Sequence, residues 1–343
     1  MNLLINSNAK QIPLSDGSVN CVVTSPPYYG LRDYNVDGQI GLEQTPDEYV
    51  ADLVQVFREV WRVLRDDGTL WLNLGDSYAS MKSRYSQKAQ TLNGGKPQDN
   101  EFHGNKPDLY HHRELGLKDK DLIGIPWMVA FALRADGWYL RQDIIWAKPN
   151  PMPESVRDRC TKAHEYVFLL SKSPHYYYDY EAVLEPATGF DGRKDTKFKG
   201  SIKSYDGVMP GGKPQSFARN GHERWRYKNL QEDGQQPNTM HLKRLEGEEY
   251  GSPVRNRRSV WTVPTTPYKG AHYATFPPKL IEPMILAGCP AGGIVLDPFV
   301  GSGTTVMVAN QLGRNGIGLD LNFQYLRENA KKRLEAVQPI LLT

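Results

Sequence analysis

The chain has 343 residues, 39% apolar and 24% charged, with a formal net charge of +3. That is enough chain and core-forming side chain for one large α/β domain with an insertion, or for two domains, and it excludes a disordered chain. Three scattered cysteines exclude a disulfide framework, and no apolar run approaches the ~20 residues of a membrane span. The N-terminus lacks a charged region followed by an apolar stretch, so a cytoplasmic protein with no membrane partner is expected.

The first strand is predicted at Asn20 to Val23. A helix follows from Thr45 to Arg65, with Thr45 as N-cap, Pro46 in the first turn and Glu48 completing a capping box. Leu53, Val54, Phe57, Val60, Trp61 and Leu64 recur at helical spacing, and Gly68 is expected to close the element. Thr69 to Leu74 reads as a strand running into Gly75-Asp76. Residues 80–118 are polar and glycine-rich and read as a long loop. A helix over about 121–135 stops at Gly137. Strands at Trp138 to Trp146 and Glu165 to Ser171 flank a rigid Lys148-Pro149-Asn150-Pro151-Met152-Pro153 link.

From Pro186 to Arg258 the chain carries 15 Lys and Arg against 9 Asp and Glu, a local net of 15 − 9 = +6. Such a segment suits a polyanion such as a phosphate backbone as well as it suits a solvated loop. Beyond it the spacing predicts a helix at 278–287, a strand at 293–296, a helix from about 304 to 312 closed by Gly313, a strand at 315–319 and a final helix over 322–337. Strands alternating with helices imply a mostly parallel, doubly wound sheet with the basic segment inserted into it.

Two loops carry the chemistry. Thr24-Ser25-Pro26-Pro27-Tyr28 follows the apolar Cys21-Val22-Val23, and Asp297-Pro298-Phe299-Val300-Gly301-Ser302-Gly303-Thr304-Thr305 follows Ile294-Val295-Leu296. Both read as loops at the carboxyl ends of buried strands, where open α/β sheets bind ligands. In the first, Ser25 offers a hydroxyl and Pro26 a carbonyl, held by the two prolines so that both can grip the amine of a planar base. Tyr28 supplies a ring for a flipped-out base to stack on. In the second, Gly301 and Gly303 allow close backbone approach to a ligand. Position 306 is Val, so the third glycine that serves a pyrophosphate is missing and a dinucleotide-dependent oxidoreductase is disfavoured. Asp320 lies 320 − 297 = 23 residues beyond Asp297, placed to accept from ribose hydroxyls, and Phe299 can pack on an adenine. Cys21, Cys160 and Cys289 read as buried or half-buried small hydrophobes rather than attacking thiolates. The histidines, His111-His112 included, show no metal-ligand spacing, so no metal is expected.

These residues resemble the amino-DNA methyltransferases, the N4-cytosine and N6-adenine family. Thr24 to Tyr28 matches the family's Ser/Asp/Asn-Pro-Pro-Tyr/Phe motif, Asp297 to Thr305 its Phe-x-Gly-x-Gly motif, Asp320 its acidic ribose position and His272 to Leu280 the segment before the cofactor strand. Ile144-Ile145-Trp146-x-Lys148 and His164-Glu165-Tyr166 are also similar to the family. The resemblance implies a Rossmann-like α/β methyltransferase fold in the circularly permuted β order, with the catalytic and cofactor strands adjacent. It implies a catalytic half over 1–185, a target recognition region over 186–258 and a cofactor-binding half over 259–343. It implies S-adenosyl-L-methionine as cofactor, with Asp297 near its amino-acid end and Phe299 near its adenine, and Gly301, Ser302, Gly303, Thr304, Asp320, Thr24 and Phe276 in the same site. Ser25, Pro26, Pro27 and Tyr28 are the implied catalytic residues, and Arg224, Arg226, Arg257 and Arg258 are candidate DNA contacts. The Ser-Pro-Pro-Tyr form favours N4 of cytosine, with N6 of adenine the alternative. Double-stranded DNA is the expected partner; an RNA substrate, a homodimer and a separately acting cognate restriction endonuclease stay open. So does a catalytically inactive DNA-binding module on the same fold, which the intact motifs oppose.

Overall fold

The computed structural model describes residues 2–31, 33–34, 36–79, 116–186, 254–265, 276–331, 334 and 341–342. In chain order the strands are β1 (Asn2–Asn6), β2 (Val19–Thr24), β3 (Leu64–Leu74), β4 (Tyr139–Ala147), β5 (His164–Ser171), β6 (Glu185–Pro186), β7 (Val254–Arg255), β8 (Val260–Thr262), β9 (Ile294–Asp297), β10 (Asn315–Asp320) and β11 (Leu341–Leu342). The helices are α1 (Pro46–Val63), α2 (Ile125–Ala135), α3 (Pro278–Gly288) and α4 (Thr304–Gln311). A helical turn at Phe323–Tyr325 widens into a π-helix over Leu326–Lys331.

The chain forms two compact units. The larger comprises Met1–Val183 with Arg258–Thr343, and the smaller is Leu184–Arg257. The larger is built on a nine-stranded sheet of order β11-β1-β10-β9-β2-β3-β5-β4-β8. Pairing is parallel throughout except where β5 runs antiparallel to both β3 and β4. One apolar layer packs α1 and α2 against Val22, Leu70, Leu72, Leu74, Phe168 and Leu170. The other packs α3 and α4 against Cys21, Val23, Trp71, Val167 and Leu169. Odd and even positions of the same strands therefore serve opposite layers, as the period-2 pleat requires. Among the described residues of the smaller unit, β6 and β7 pair antiparallel, and Arg255 Nε donates to Glu185 Oε1 at 2.9 Å.

Helix α1 follows its sequence signals closely. Thr45 accepts from the Glu48 amide and Glu48 accepts from the Thr45 amide, the reciprocal cap that the spacing predicts. Gly68, however, does not close this helix. The helix ends at Val63, Leu64 adopts extended backbone, and the chain enters β3 at once. Gly68 lies inside that strand, where a Cβ would come within 2.6 Å of Leu64 and 2.9 Å of the Asn20 carbonyl. Its smallness serves packing between β2 and β3, not a helix stop. Strands β1 and β8 carry no local turn or alternation signal and escape the sequence reading; β1 owes its place to parallel pairing with β10, more than 300 residues away. The helix predicted over 322–337 is the short turn and π-helix just described; residues 332–333 and 335–340 lie outside the described residues. Cys21 and Cys289 are buried, but Cys160 is exposed, contrary to expectation.

Candidate active site

Strands β2 and β9 lie side by side, with Cys21 opposite Val295 and Val22 opposite Leu296. From β2 the sheet continues to β3 on one side, and from β9 to β10 on the other. The carboxyl ends of β2 and β9 therefore flank the point at which the winding changes direction, where such sheets open a ligand crevice. The two loops singled out in the sequence leave the sheet there. They are joined directly: Thr24 Oγ1 donates to Asp297 Oδ1 at 2.7 Å, a buried contact between residues 273 apart in the chain.

Asp297 is an organising residue. Its Oδ1 also receives the Phe299 amide at 3.1 Å, and its Oδ2 receives Thr305 Oγ1 at 2.6 Å. Burial pushes its pKa up to about 6 even though these donors pull it down. The turn that follows has Gly301 at φ 47° and Gly303 at φ 79°, left-handed backbone that favours glycine. Asp320, at the end of β10, accepts the Gly301 amide at 3.1 Å and the Asn322 amide at 2.8 Å. Both carboxylate groups are thereby aimed by backbone donors. Desolvation raises the Asp320 pKa as well.

One pocket is lined by both loops. Its walls include Ser25, Pro26, Pro27 and Tyr28 from the first, Asp297, Phe299, Gly301, Ser302 and Thr304 from the second, and Asp320, Asn322, Tyr325 and Phe276 beside them. Thr24, Ser302 and Gly303 are buried, with Ser302 Oγ 3.2 Å from Thr304 Oγ1. The first loop is held from behind by Tyr49 of α1, whose hydroxyl donates to the Pro27 carbonyl at 2.8 Å. The Tyr28 ring lies over Gly75, where a Cβ would sit 2.5 Å from Cε2. Nothing larger than glycine fits beneath that ring.

The structure adds a group of side chains to which sequence reasoning assigned no role. Because β5 runs antiparallel to β3, its first residues sit where β3 ends: Leu74 pairs with Tyr166, and Trp146 of β4 pairs with Glu165. The pleat then brings Ser25, Asn73 and Glu165 onto one face at the same edge of the sheet. Tyr28 OH donates to Glu165 Oε2 at 2.7 Å, and Asn73 Nδ2 reaches Tyr28 OH at 2.8 Å, Glu165 Oε2 at 3.0 Å and Ser25 Oγ at 3.4 Å. Lys148 Nζ forms a half-buried ion pair with Glu165 Oε1 and lies 4.3 Å from the centre of the Trp146 ring. Burial, then the Glu165 charge, raises the Tyr28 pKa well above that of a free phenol. The only advance signal was the family likeness of the segments around Trp146-x-Lys148 and Glu165.

Of the candidate DNA contacts, Arg224 and Arg226 lie outside the described residues, as do residues 80–115, 187–253 and His272 to Thr275. Arg257 is half-buried and Arg258 exposed. Among the described residues no cluster of His, Cys, Asp or Glu could hold a metal ion, and no helix is long and apolar enough to cross a membrane.

Comparison with known proteins agrees with this geometry. A family model for DNA methylases matches residues 19–332. The type II methyltransferase M.SmaI of Serratia marcescens is 43% identical over 315 residues, covering 92% of this chain and 84% of that protein. M.Cfr9I of Citrobacter freundii is 44% identical over 313 residues, covering 91% and 80%. A protein of Thermus thermophilus solved in complex with S-adenosyl-L-methionine superposes with a TM-score of 0.54 at 20% identity, covering 100% of this chain and 98% of that one. The cytosine-N4-specific PvuII DNA methyltransferase superposes at 0.55 with 16% identity, covering 95% and 84%. These structures establish the Rossmann-like methyltransferase fold. Given a family match spanning most of the chain and close relatives covering nine-tenths of it, this protein belongs to the N6/N4 DNA methylase family.

Proposed function

We propose that this protein transfers a methyl group from S-adenosyl-L-methionine to the exocyclic N4 amine of a cytosine flipped out of double-stranded DNA. The observation that carries the reading is the single pocket walled by Ser25–Tyr28 on one side and the Asp297–Thr304 turn on the other, locked together by the Thr24–Asp297 bond. The pocket suits the cofactor. Asp320 and Asp297 set negative charge beside a cationic ligand, Asp320 keeps lone pairs for a ribose diol, and Phe299 and Phe276 offer apolar faces. When bound, S-adenosyl-L-methionine supplies an electrophilic methyl group on positively charged sulfur.

The protein's own task is then positional. An exocyclic amine on cytosine has its lone pair delocalised into the ring and is a poor nucleophile. Ser25 Oγ accepts one of its N–H groups and the Pro26 carbonyl the other, which favours a pyramidal nitrogen whose lone pair is withdrawn from conjugation with the ring. The ring of Tyr28, pinned by Gly75 behind it, supplies the surface on which the base stacks. No strong base is required, because the nitrogen becomes cationic on methylation and its proton acidic. Cytosine is preferred over adenine on the Ser-Pro-Pro-Tyr form of the motif. The basic segment 186–258 is assigned to recognition of the target sequence, with its arginines on phosphates and base edges.

The test is methyl transfer from tritiated S-adenosyl-L-methionine to duplex DNA, followed by nucleoside mass spectrometry. N4-methylcytosine is expected. N6-methyladenine would overturn the choice of base, and DNA left unlabelled would overturn the reading as a whole.

A further inference from the structure

We propose that Glu165, braced by Lys148 and Asn73, is a positioning residue for methyl transfer, holding Tyr28 and Ser25 in register with the target amine. The inference rests on reading the pocket as the methyl-transfer site. It starts from a property of carboxylates: an ionised one can only accept hydrogen bonds. With Tyr28 OH at 2.7 Å and Asn73 Nδ2 at 3.0 Å from Glu165 Oε2, the directions of both groups are determined. The phenol proton points at Glu165, so the phenol oxygen turns its lone pairs toward Asn73 Nδ2 at 2.8 Å and Ser25 Oγ at 3.4 Å. Ser25 can then donate toward Tyr28 and keep a lone pair for the N–H of a substrate amine. Glu165 thus sets both the tilt of the stacking ring and the polarity of the gripping hydroxyl without touching the base.

Stability does not account for this cluster. A buried or half-buried ion pair such as Glu165–Lys148 commonly contributes no more than a well-packed apolar pair. Asn73 is only 4% exposed, and with its Nδ2 drawn to Glu165, its Oδ1 is left without a hydrogen-bond partner among the described residues. Such an orphaned carbonyl costs about 1–3 kcal/mol. Four neighbouring strands or their loops supply the cluster at the same edge: Ser25 and Tyr28 after β2, Asn73 in β3, Glu165 in β5 and Lys148 after β4. Lys148 has a further role on this reading, since an unneutralised carboxylate beside a site that receives a polyanion would repel it.

The experiment is a double-mutant cycle in single-turnover methyl transfer to DNA, with cofactor affinity and thermal midpoint measured on each variant. Glu165→Ala is expected to lose about 10²-fold in rate, the size of a small misplacement at a reacting centre, with cofactor affinity unchanged. Glu165→Gln, which keeps the shape, loses about tenfold. In a Tyr28→Phe background the phenol through which Glu165 acts is gone, so adding Glu165→Ala there lowers the rate by less than about threefold. Lys148→Met strands the carboxylate, and Lys148→Met with Glu165→Gln recovers rate relative to Lys148→Met alone. Losses that simply multiply in the cycle, or a Glu165→Ala enzyme that loses only thermal stability, would overturn the proposal. Wild-type protein that methylates no DNA would instead defeat the functional reading on which it stands.

Discussion

Gly75→Ala is a one-carbon change that isolates the contribution of the Tyr28 ring. The added Cβ would lie 2.5 Å from Tyr28 Cε2, 3.0 Å from Cδ2 and 3.2 Å from Cζ. To regain ordinary contact at 3.4 Å, the ring has to retreat by 3.4 − 2.5 = 0.9 Å. It cannot do so freely, because its hydroxyl is held at 2.7 Å by Glu165 and at 2.8 Å by Asn73. A shift of that size either stretches those bonds past hydrogen-bonding length or moves the backbone of the Pro26-Pro27 turn. Overpacking of this kind costs about 1–3 kcal/mol of stability, which a chain of this size tolerates as a few degrees of thermal midpoint. Catalysis suffers more, since an ångström at a reacting centre is worth about 10²-fold. The expected result is a folded protein that binds S-adenosyl-L-methionine within about twofold of wild type and transfers methyl about 10²-fold more slowly. Calorimetric titration of the cofactor and single-turnover transfer on one preparation separate the two quantities. An unchanged transfer rate would show that the ring's position is immaterial, and the stacking role of Tyr28 would go with it.

Ser25→Ala should nearly abolish methyl transfer with cofactor affinity retained; equal loss of both would contradict the division of labour between the two loops. Thr24→Val removes the 2.7 Å bond to Asp297 and should destabilise by about 1–3 kcal/mol while weakening cofactor binding, read by denaturant melts and titration; unaltered affinity would mean that the tie does not shape the pocket. Asp297 has a folded pKa raised to about 6 against about 3.9 for an unfolded Asp. Its contribution to stability is therefore fully present below pH ~3.9 and lost as pH rises through ~6, on the order of 3 kcal/mol. Asp297→Asn should flatten the stability profile across that window, and an equally steep profile in the variant would place the titration elsewhere. Exchange of residues 186–258 for the matching segment of a relative should change the methylated sequence, mapped on genomic DNA from cells making the chimera; an unaltered target would remove the segment from recognition.

How much of this was legible beforehand depended on how local the determining physics is. The two loops were readable because each packs its chemistry into a few consecutive residues after a buried strand. Helix α1 was readable because Thr45 and Glu48 carry a cap that needs no tertiary partner. Gly68 misled for the opposite reason: a glycine after a helical stretch looks like a stop, whereas here the space left by Leu64 and Asn20 decides. Strand β1 had no local signature, since its pairing with β10 is set by the far end of the chain. The Glu165–Asn73–Lys148 cluster was hidden for a related reason. Its members are ordinary when taken apart, and only the antiparallel register of β3, β5 and β4 brings them beside Tyr28.

The ends of the basic segment are joined by antiparallel pairing of the same kind. Glu185 pairs with Arg255 and Pro186 with Val254, so the smaller unit leaves and rejoins the chain through one short ribbon. An insertion whose ends already meet costs the rest of the chain little as its length changes, because closure entropy grows only as about (3/2)RT ln n. That leaves its sequence little constrained by the fold, as the recognition role proposed for it requires. The residues around the pocket have no such freedom. Asp297 answers to Thr24, Thr305 and Phe299 together, and Tyr28 to Gly75, Asn73 and Glu165. A change at any one of them disturbs several fixed distances. On the proposed assignment, this asymmetry explains why the chemistry of the chain is written in short motifs while its target preference is not.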